Sequence, residues 1–231
     1  MHMKRMVAAV ALPAVALAVG ASRRQSEAAT SAPAAVPVAR VASPPSALPA
    51  TDGLQLVVAP AGNEARYRIR EQLVGVDLPN DAIGVTSDVT GGIAFDAAGN
   101  LVPGSSKFIV NVTGLKSDKD RRDGYVRGRI LETSQYPTVE LTPTSIRGLA
   151  LPLPTSGNKT FQIAGDLTVH GVTKPTTWNV TASFNNGRVS GAAATSFLFS
   201  DFGLNQPRVP VVLSVADSIK LEYTFSLVPK T

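Results

Sequence analysis

Apolar positions recur at every second residue over much of this chain, and the alternation is cleanest across residues 161–184 (FQIAGDLTVHGVTKPTTWNVTASF). Phe161, Ile163, Leu167 and Val169 share one parity with Gly165, while Thr160, Gln162, Asp166 and Thr168 hold the other. Beyond His170-Gly171, the residues Trp178, Val180, Ala182 and Phe184 alternate with Thr177, Asn179, Thr181 and Ser183. Successive strand side chains point to opposite faces, so each half is a strand with one apolar and one polar side. His170-Gly171 supplies turn chemistry, and Lys174-Pro175 is expected to limit where pairing resumes. The stretch reads as a long antiparallel hairpin.

The same period runs through the rest of the chain. Residues 65–76 set Tyr67 and Ile69 against Arg66, Arg68 and Arg70. Pro79 and Asn80 break that strand, and Ile83, Val85, Ser87 and Val89 form a second run. Gly91-Gly92 then interrupts before Ile93-Ala94-Phe95, and a glycine pair inside a strand pattern predicts a bulge or sharp bend, as a barrel corner requires. Ser106, Phe108, Val110 and Val112 share a face in a further strand. Residues 118–133 (DKDRRDGYVRGRILET) are the one helix candidate, short and densely charged, with Tyr125, Ile130 and Leu131 turned inward. A strand over 138–147 places Val139 and Leu141 on one side, and a Pro- and Gly-containing connection over 149–158 leads into the central hairpin.

After the hairpin, Val189, Gly191, Ala193, Thr195, Phe197 and Phe199 share one parity. At the end of the chain Ile219, Leu221, Tyr223, Phe225 and Leu227 alternate with Lys220, Glu222, Thr224 and Ser226. About eight one-sided strands joined by short loops must bury their apolar faces, and closure into a barrel also removes exposed edges. The expected fold class is all-β.

Composition narrows the setting. The chain has nineteen glycines, seventeen prolines and no cysteine, which excludes a disulfide framework, thiolate metal sites and a lipobox-type anchor. Lys4 and Arg5 precede an apolar run over residues 6–21 that ends in Val19-Gly20-Ala21, so residues 1–21 read as an export signal that is cleaved. Sixteen residues containing Pro13 are short for a bilayer span, which needs about 20. The protein is therefore expected to be periplasmic or extracellular, or held at the membrane if the segment stays uncleaved. Removing Lys4 and Arg5 from 22 basic residues leaves 20 against 17 acidic, a net of +3, and no basic run with interleaved aromatics forms a nucleic-acid module. Residues 22–50 hold nine Ala, five Pro and five Ser, a disordered, extended linker that places the domain at 51–231.

Catalytic constellations are missing from the pattern. Beyond the export segment His170 is the only histidine, so neither a histidine metal cluster nor a Ser-His-Asp triad can be assembled. Residues 156–159 (SGNK) match S-x-x-K but fall in a Gly/Asn turn, whereas a nucleophilic serine needs that lysine on an ordered helix. G-x-S-x-G, P-loop and dinucleotide fingerprints do not occur. The chain reads as a non-enzyme without cofactor or metal.

Gly165-Asp166-Leu167-Thr168-Val169-His170-Gly171-Val172-Thr173-Lys174-Pro175 resembles, at eleven consecutive positions, the signature of the YceI-like family of polyisoprenoid-binding, lipocalin-like periplasmic proteins. Ser200-Asp201-Phe202-Gly203 is a second family-like element, and Arg122-Asp123 and Tyr136-Pro137 stand where family members carry such pairs. Many members have an arginine just before Ser-Asp-Phe-Gly, where this chain has Phe199; that departure weakens an arginine-based headgroup role there. The resemblance covers roughly residues 65–228 and implies an extended antiparallel eight-stranded lipocalin-like barrel with one short helical segment. It also implies an isoprenoid lipid ligand, proximity to a membrane and a homodimer.

Such a barrel places Phe108, Phe161, Ile163, Leu167, Trp178, Val180, Phe184, Phe197, Tyr223 and Phe225 on the inward face, with Gly165, Gly191 and Ala193 leaving space beside them. The pattern alone fits a filled core and a ligand-holding lumen equally well. The resemblance favours the lumen, holding a polyisoprenoid or isoprenoid quinone for transport, storage or sequestration. Arg122 and Arg127 are then candidates to meet its phosphate or quinone oxygen, although Arg122 and Asp123 read first as an ion pair that fixes a loop. The alternative is an envelope stress or interaction module with a dry barrel that presents the loop over 205–210. An enzyme acting on lipid would need His170, Asp166 or Asp201 inside the barrel.

Overall fold

The computed structural model describes residues 53–75 and 77–230. The expected export segment and linker, residues 1–50, lie outside them. Eleven strands occur among the described residues: β1 Gln55–Val58, β2 Glu64–Leu73, β3 Asn80–Thr86, β4 Val89–Ala94, β5 Lys107–Asn111, β6 Thr138–Arg147, β7 Ser156–Val169, β8 Val172–Asn185, β9 Arg188–Leu198, β10 Val212–Val215 and β11 Ser218–Pro229. One edge of β11 pairs with β9, and the other pairs first with β2 (Leu221 opposite Tyr67) and then with β1 (Val228 opposite Val57). β3 pairs with β2 and β4 with β1, so β1–β2 and β3–β4 each act as one broken strand. The ring then closes as β1/β2, β3/β4, β5, β6, β7, β8, β9, β11 and back to β1/β2. It is an eight-stranded antiparallel barrel, as the pattern and the resemblance led us to expect.

The central hairpin pairs without interruption from Val169 opposite Val172 to Ser156 opposite Asn185. His170 and Gly171 both take positive φ, the two-residue turn whose twist matches the flanking strands. Pairing does not wait for Pro175, which sits opposite Asp166. The reason is an open edge: β9 reaches only Asn179–Asn185 of β8, so a residue without an N–H is tolerated at Pro175.

Two further expectations change. Gly91-Gly92 makes no bulge, because β4 stays in register with β5 across both residues. A Cβ on Gly91 would lie 2.0 Å from the Lys107 carbonyl oxygen and one on Gly92 would lie 2.2 Å from that of Leu56, so the pair lets both neighbouring strands close in. The parity break falls earlier, at Ser87-Asp88. Ala82 and Thr86 are buried, whereas Ile83 and Val85 are only half-buried, and after the break Val89, Ile93 and Phe95 are buried instead. Thr86 Oγ1 donates to the Asn111 carbonyl and Asn111 Nδ2 donates to Asp88 Oδ2, which pins the kink to β5.

The charged segment folds as α1 Asp120–Tyr125, continued by one wide turn over Val126–Ile130. It lies in the β5–β6 connection, at the same end of the barrel as the β7–β8 turn and the β9–β11 connection. The opposite end holds the β4–β5, β6–β7 and β8–β9 connections. Strands β1 and β10 went unread in the sequence because four residues are too few to establish a period.

Candidate ligand-binding lumen

Inward residues from all eight staves surround one apolar cavity of about 210 Å³. An apolar cavity of roughly 150 Å³ already holds a benzene ring. At the helix end it is bordered by Leu115, Val126, Ile130, Leu131, Phe199 and Leu204, and at the far end by Phe95, Leu149, Leu153 and Leu227. Aromatic rings meet inside the barrel: Phe108 on β5 meets Tyr223 on β11 edge-on with centroids 6.1 Å apart, and Tyr223 lies 5.9 Å from Phe225. Phe202, fully buried, packs against Phe197 at 4.5 Å and supports the helix end.

Phe108, Phe161, Ile163, Leu167, Trp178, Val180, Phe184, Ala193, Phe197, Tyr223 and Phe225 all line this cavity. Gly191 does not. It has the inward parity, but the Phe225 ring already covers it, and a Cβ there would sit 3.0 Å from Phe225 Cζ and 2.1 Å from the Thr181 carbonyl oxygen. Gly165 is likewise closed off by Leu141 and the β6 backbone. These glycines allow close strand approach rather than leaving space.

The polar groups on the inner face are few and mostly paired. Tyr223 OH donates to Asn63 Oδ1 at 2.8 Å, Trp178 Nε1 to Thr176 Oγ1 at 3.1 Å, and Thr86 Oγ1 to the Asn111 carbonyl. Burial raises the Tyr223 phenol well above its ordinary value, so it stays a donor. Arg66 and Glu222 also border the cavity, but they sit at the alternate positions from Tyr67 and Tyr223. Arg66 bonds Glu64 there, and Glu222 pairs with Lys220 and Arg68.

The two headgroup candidates do not line the cavity. Arg122 is held by Glu71 and Asp118, and Arg127 Nη1 donates to the Leu115 carbonyl at 3.0 Å. Arg122 and Asp123 do not pair with each other: buried Asp123 instead accepts from Ser117 N and Ser117 Oγ. His170 Nε2 meets Glu132 Oε2 at 2.9 Å and stacks edge-on with Tyr136, which ties the hairpin turn to the chain leaving the helix. Asp166 is exposed, and Asp201 Oδ2 accepts from the Leu198 N–H. Ser156 and Lys159 are exposed on β7. Among the described residues no three His, Cys, Asp or Glu side chains converge as metal ligands.

A model of the YceI-like domain matches residues 57–227. The chain belongs to the YceI-like family. Among its relatives is a UPF0312 protein of Pseudomonas putida (strain F1), 33% identical over 135 residues, which make up 54% of this chain and 64% of the relative. The match thus spans less than two thirds of that protein's length. A UPF0312 protein of Pseudomonas syringae pv. tomato is 30% identical over 158 residues, 64% of this chain and 73% of the relative. The fold resembles that of a polyisoprenoid binding domain from Saccharophagus degradans (TM-score 0.57, 12% identity, 77% of this chain and 99% of that one). It also resembles Burkholderia cenocepacia BcnA (TM-score 0.51, 16% identity, 71% and 95%). At these identities the likeness is one of fold.

Within this YceI-like barrel, Phe199, which directly precedes Ser200-Asp201-Phe202-Gly203, is buried against the helix end of the cavity. That end therefore gains apolar surface. Sequence reasoning missed Tyr67 and Asn63 as contributors to the site. Tyr67 showed inward parity with Ile69, but Asn63 carries no local signal, since its partners Tyr223 and Ser226 lie on the last strand.

Proposed function

We propose that this YceI-like chain is an exported, non-enzymatic lipid-binding protein that holds a polyisoprenoid or isoprenoid quinone in its barrel, for transport, storage or sequestration. The observation that carries this reading is the cavity itself: it is walled almost wholly by apolar and aromatic side chains and stays open although inward side chains from all eight staves line it. A flexible hydrocarbon gains about 0.8 kcal/mol for each CH₂ it moves from water into such a wall. The fold shared with a polyisoprenoid binding domain supports the same ligand class. The side chains nominated for catalysis on lipid, His170, Asp166 and Asp201, do not line the cavity, which supports binding over chemistry.

Organic extraction of the full chain purified from cells, followed by mass spectrometry, tests the reading. A stoichiometric isoprenoid is the expected result. An empty extract, repeated after incubation with isoprenoid-containing membranes, overturns it.

A second reading draws on Val74, Leu78, Val211 and Leu213, large apolar side chains exposed at the helix end, where Val74 N donates to the Val211 carbonyl. They suit an interaction module. A pull-down that depends on these residues from a lipid-free barrel would favour it.

A further inference from the structure

Tyr67 is an inward-facing polar side chain whose hydroxyl has no hydrogen-bond partner among the described residues. On the inner face Thr86, Trp178 and Tyr223 each donate to another residue, as described above. The Tyr67 hydroxyl makes no such bond among the described residues, yet Tyr67 borders the cavity. The hydroxyl is not among the fully buried unpartnered groups, so it keeps accessible surface at which a ligand oxygen can pair with it.

Its position is fixed by packing. Tyr67 lies opposite Gly84 across the β2–β3 ladder, and its ring lies over that glycine. A Cβ at Gly84 would fall 2.3 Å from Tyr67 Cε1 and 3.0 Å from its hydroxyl oxygen, so the absence of a side chain there seats the ring. The charges that act on the phenol are Arg122, Asp123, Glu71 and Asp118, all at the helix end. Burial is the largest influence on it and, despite the opposing charge of Arg122, pushes its pKa up to about 12. The hydroxyl therefore keeps its proton throughout the physiological range and is a neutral donor. It borders a largely apolar chamber and is set toward one end of it.

We propose that the Tyr67 hydroxyl anchors the polar end of the bound lipid at the helix end of the lumen, donating to a carbonyl or hydroxyl oxygen while the hydrocarbon runs toward Leu153 and Leu227. This inference rests on the lipid-binding reading and adds to it an orientation and a headgroup class. A lipid with an uncharged oxygen acceptor gains from the anchor, whereas a pure hydrocarbon does not. Arg122, already paired with Glu71 and Asp118, supplies a positive field behind the phenol rather than a direct contact.

The test compares the native full chain with Tyr67→Phe, which keeps the ring over Gly84 and removes only the oxygen. Decylubiquinone, with ring carbonyls, and squalene, with none, serve as probes. Quinone binding is read by quenching of Trp178, the only tryptophan, which lines the same cavity, and squalene binding by competition. The expected result is that Tyr67→Phe weakens decylubiquinone about fivefold, the scale of one neutral hydrogen bond, and leaves squalene unchanged. A thermal melt of the variant, expected to stay cooperative, separates loss of fold from loss of anchor. Equal decylubiquinone affinity in the two proteins overturns the anchor while leaving lipid binding intact. Equal weakening of both lipids also overturns it, since a packing change would act on either. Failure of the native chain to bind either probe overturns the lipid reading and the anchor together.

Discussion

Arg122 Nη2 donates to Glu71 Oε1 at 2.5 Å, joining the α1 helix to the rim of β2 across 51 residues of sequence. Both side chains are largely buried, at 15% and 8% exposure, and Arg122 also binds Asp118 one helical turn before it. Such a pair sums a large desolvation cost with a large attraction, so its net contribution is small while the loss of one member is severe. Arg122→Ala is expected to destabilise the barrel by about 3 kcal/mol, because it strands the Glu71 carboxylate in a buried site. The double variant Glu71→Leu/Arg122→Met is expected to recover most of that loss. Urea unfolding of the three proteins measures both effects, and a double variant no better than the single one contradicts the argument.

Asn63 plays a comparable part without charge. Its Nδ2 donates to the Ala59 carbonyl, and its Oδ1 accepts from Tyr223 OH and Ser226 N. It thus holds the break between β1 and β2 against β11, where the barrel closes. Asn63→Ala leaves a buried phenol and a backbone N–H unpaired, an expected loss of about 2 kcal/mol in chemical denaturation. Asn63→Asp keeps the acceptor but loses the donor, and is expected to fall between the two.

The barrel was legible in the sequence because period two is a local signal that survives from residue to residue. Phe161 to Phe184 and Ile219 to Leu227 face the lumen as their parity indicated. What failed was local as well as long-range. Ile83 and Val85 looked like core by composition, yet the Thr86–Asn111–Asp88 hydrogen bonds at the kink invert the face of β3. Gly191 looked like space because parity says which way a side chain points and nothing about which neighbour already lies there. Glu71, which pairs with Arg122, and Tyr223, which pairs with Asn63, sit 51 and 160 residues away, so no spacing rule reaches them.

Acid is expected to weaken the outer face of the barrel. Hydrogen bonds from Arg68 and then Arg70 hold the Asp81 carboxyl below its ordinary value. The hydrogen bond from Lys220 does the same for Glu222, overcoming the opposing effect of burial. In the unfolded chain both carboxyls return to ordinary values, so the unfolded state binds more protons as pH falls. Their contribution is complete above about pH 5 and is lost as pH drops below about 4, through the lowered folded values. Arg68 reaches both groups, at 2.8 Å to Asp81 and 3.5 Å to Glu222. Arg68→Met is therefore expected to flatten the acid limb of a stability-against-pH curve. An unchanged slope would place the acid sensitivity elsewhere.

Gly191 and Ala193 are two residues apart on β9 and share the inward parity, but the structure separates their roles. Ala193 lines the cavity, opposite Tyr223 on β11. Gly191 is covered by Phe225 and lies against the Thr181 carbonyl. A larger side chain at Ala193 grows into empty space, so Ala193→Phe is expected to keep the fold and to displace bound lipid. At Gly191 even one added methyl meets backbone, and overpacking of that kind costs about 2 kcal/mol. Gly191→Ala is thus expected to lower the unfolding midpoint while the molecules that do fold retain their lipid. Unfolding midpoints and lipid content by extraction, measured on both variants, distinguish the two effects. If Ala193→Phe retained its lipid in full, the ligand would not reach the middle of the barrel, and the site would have to lie at the helix end alone.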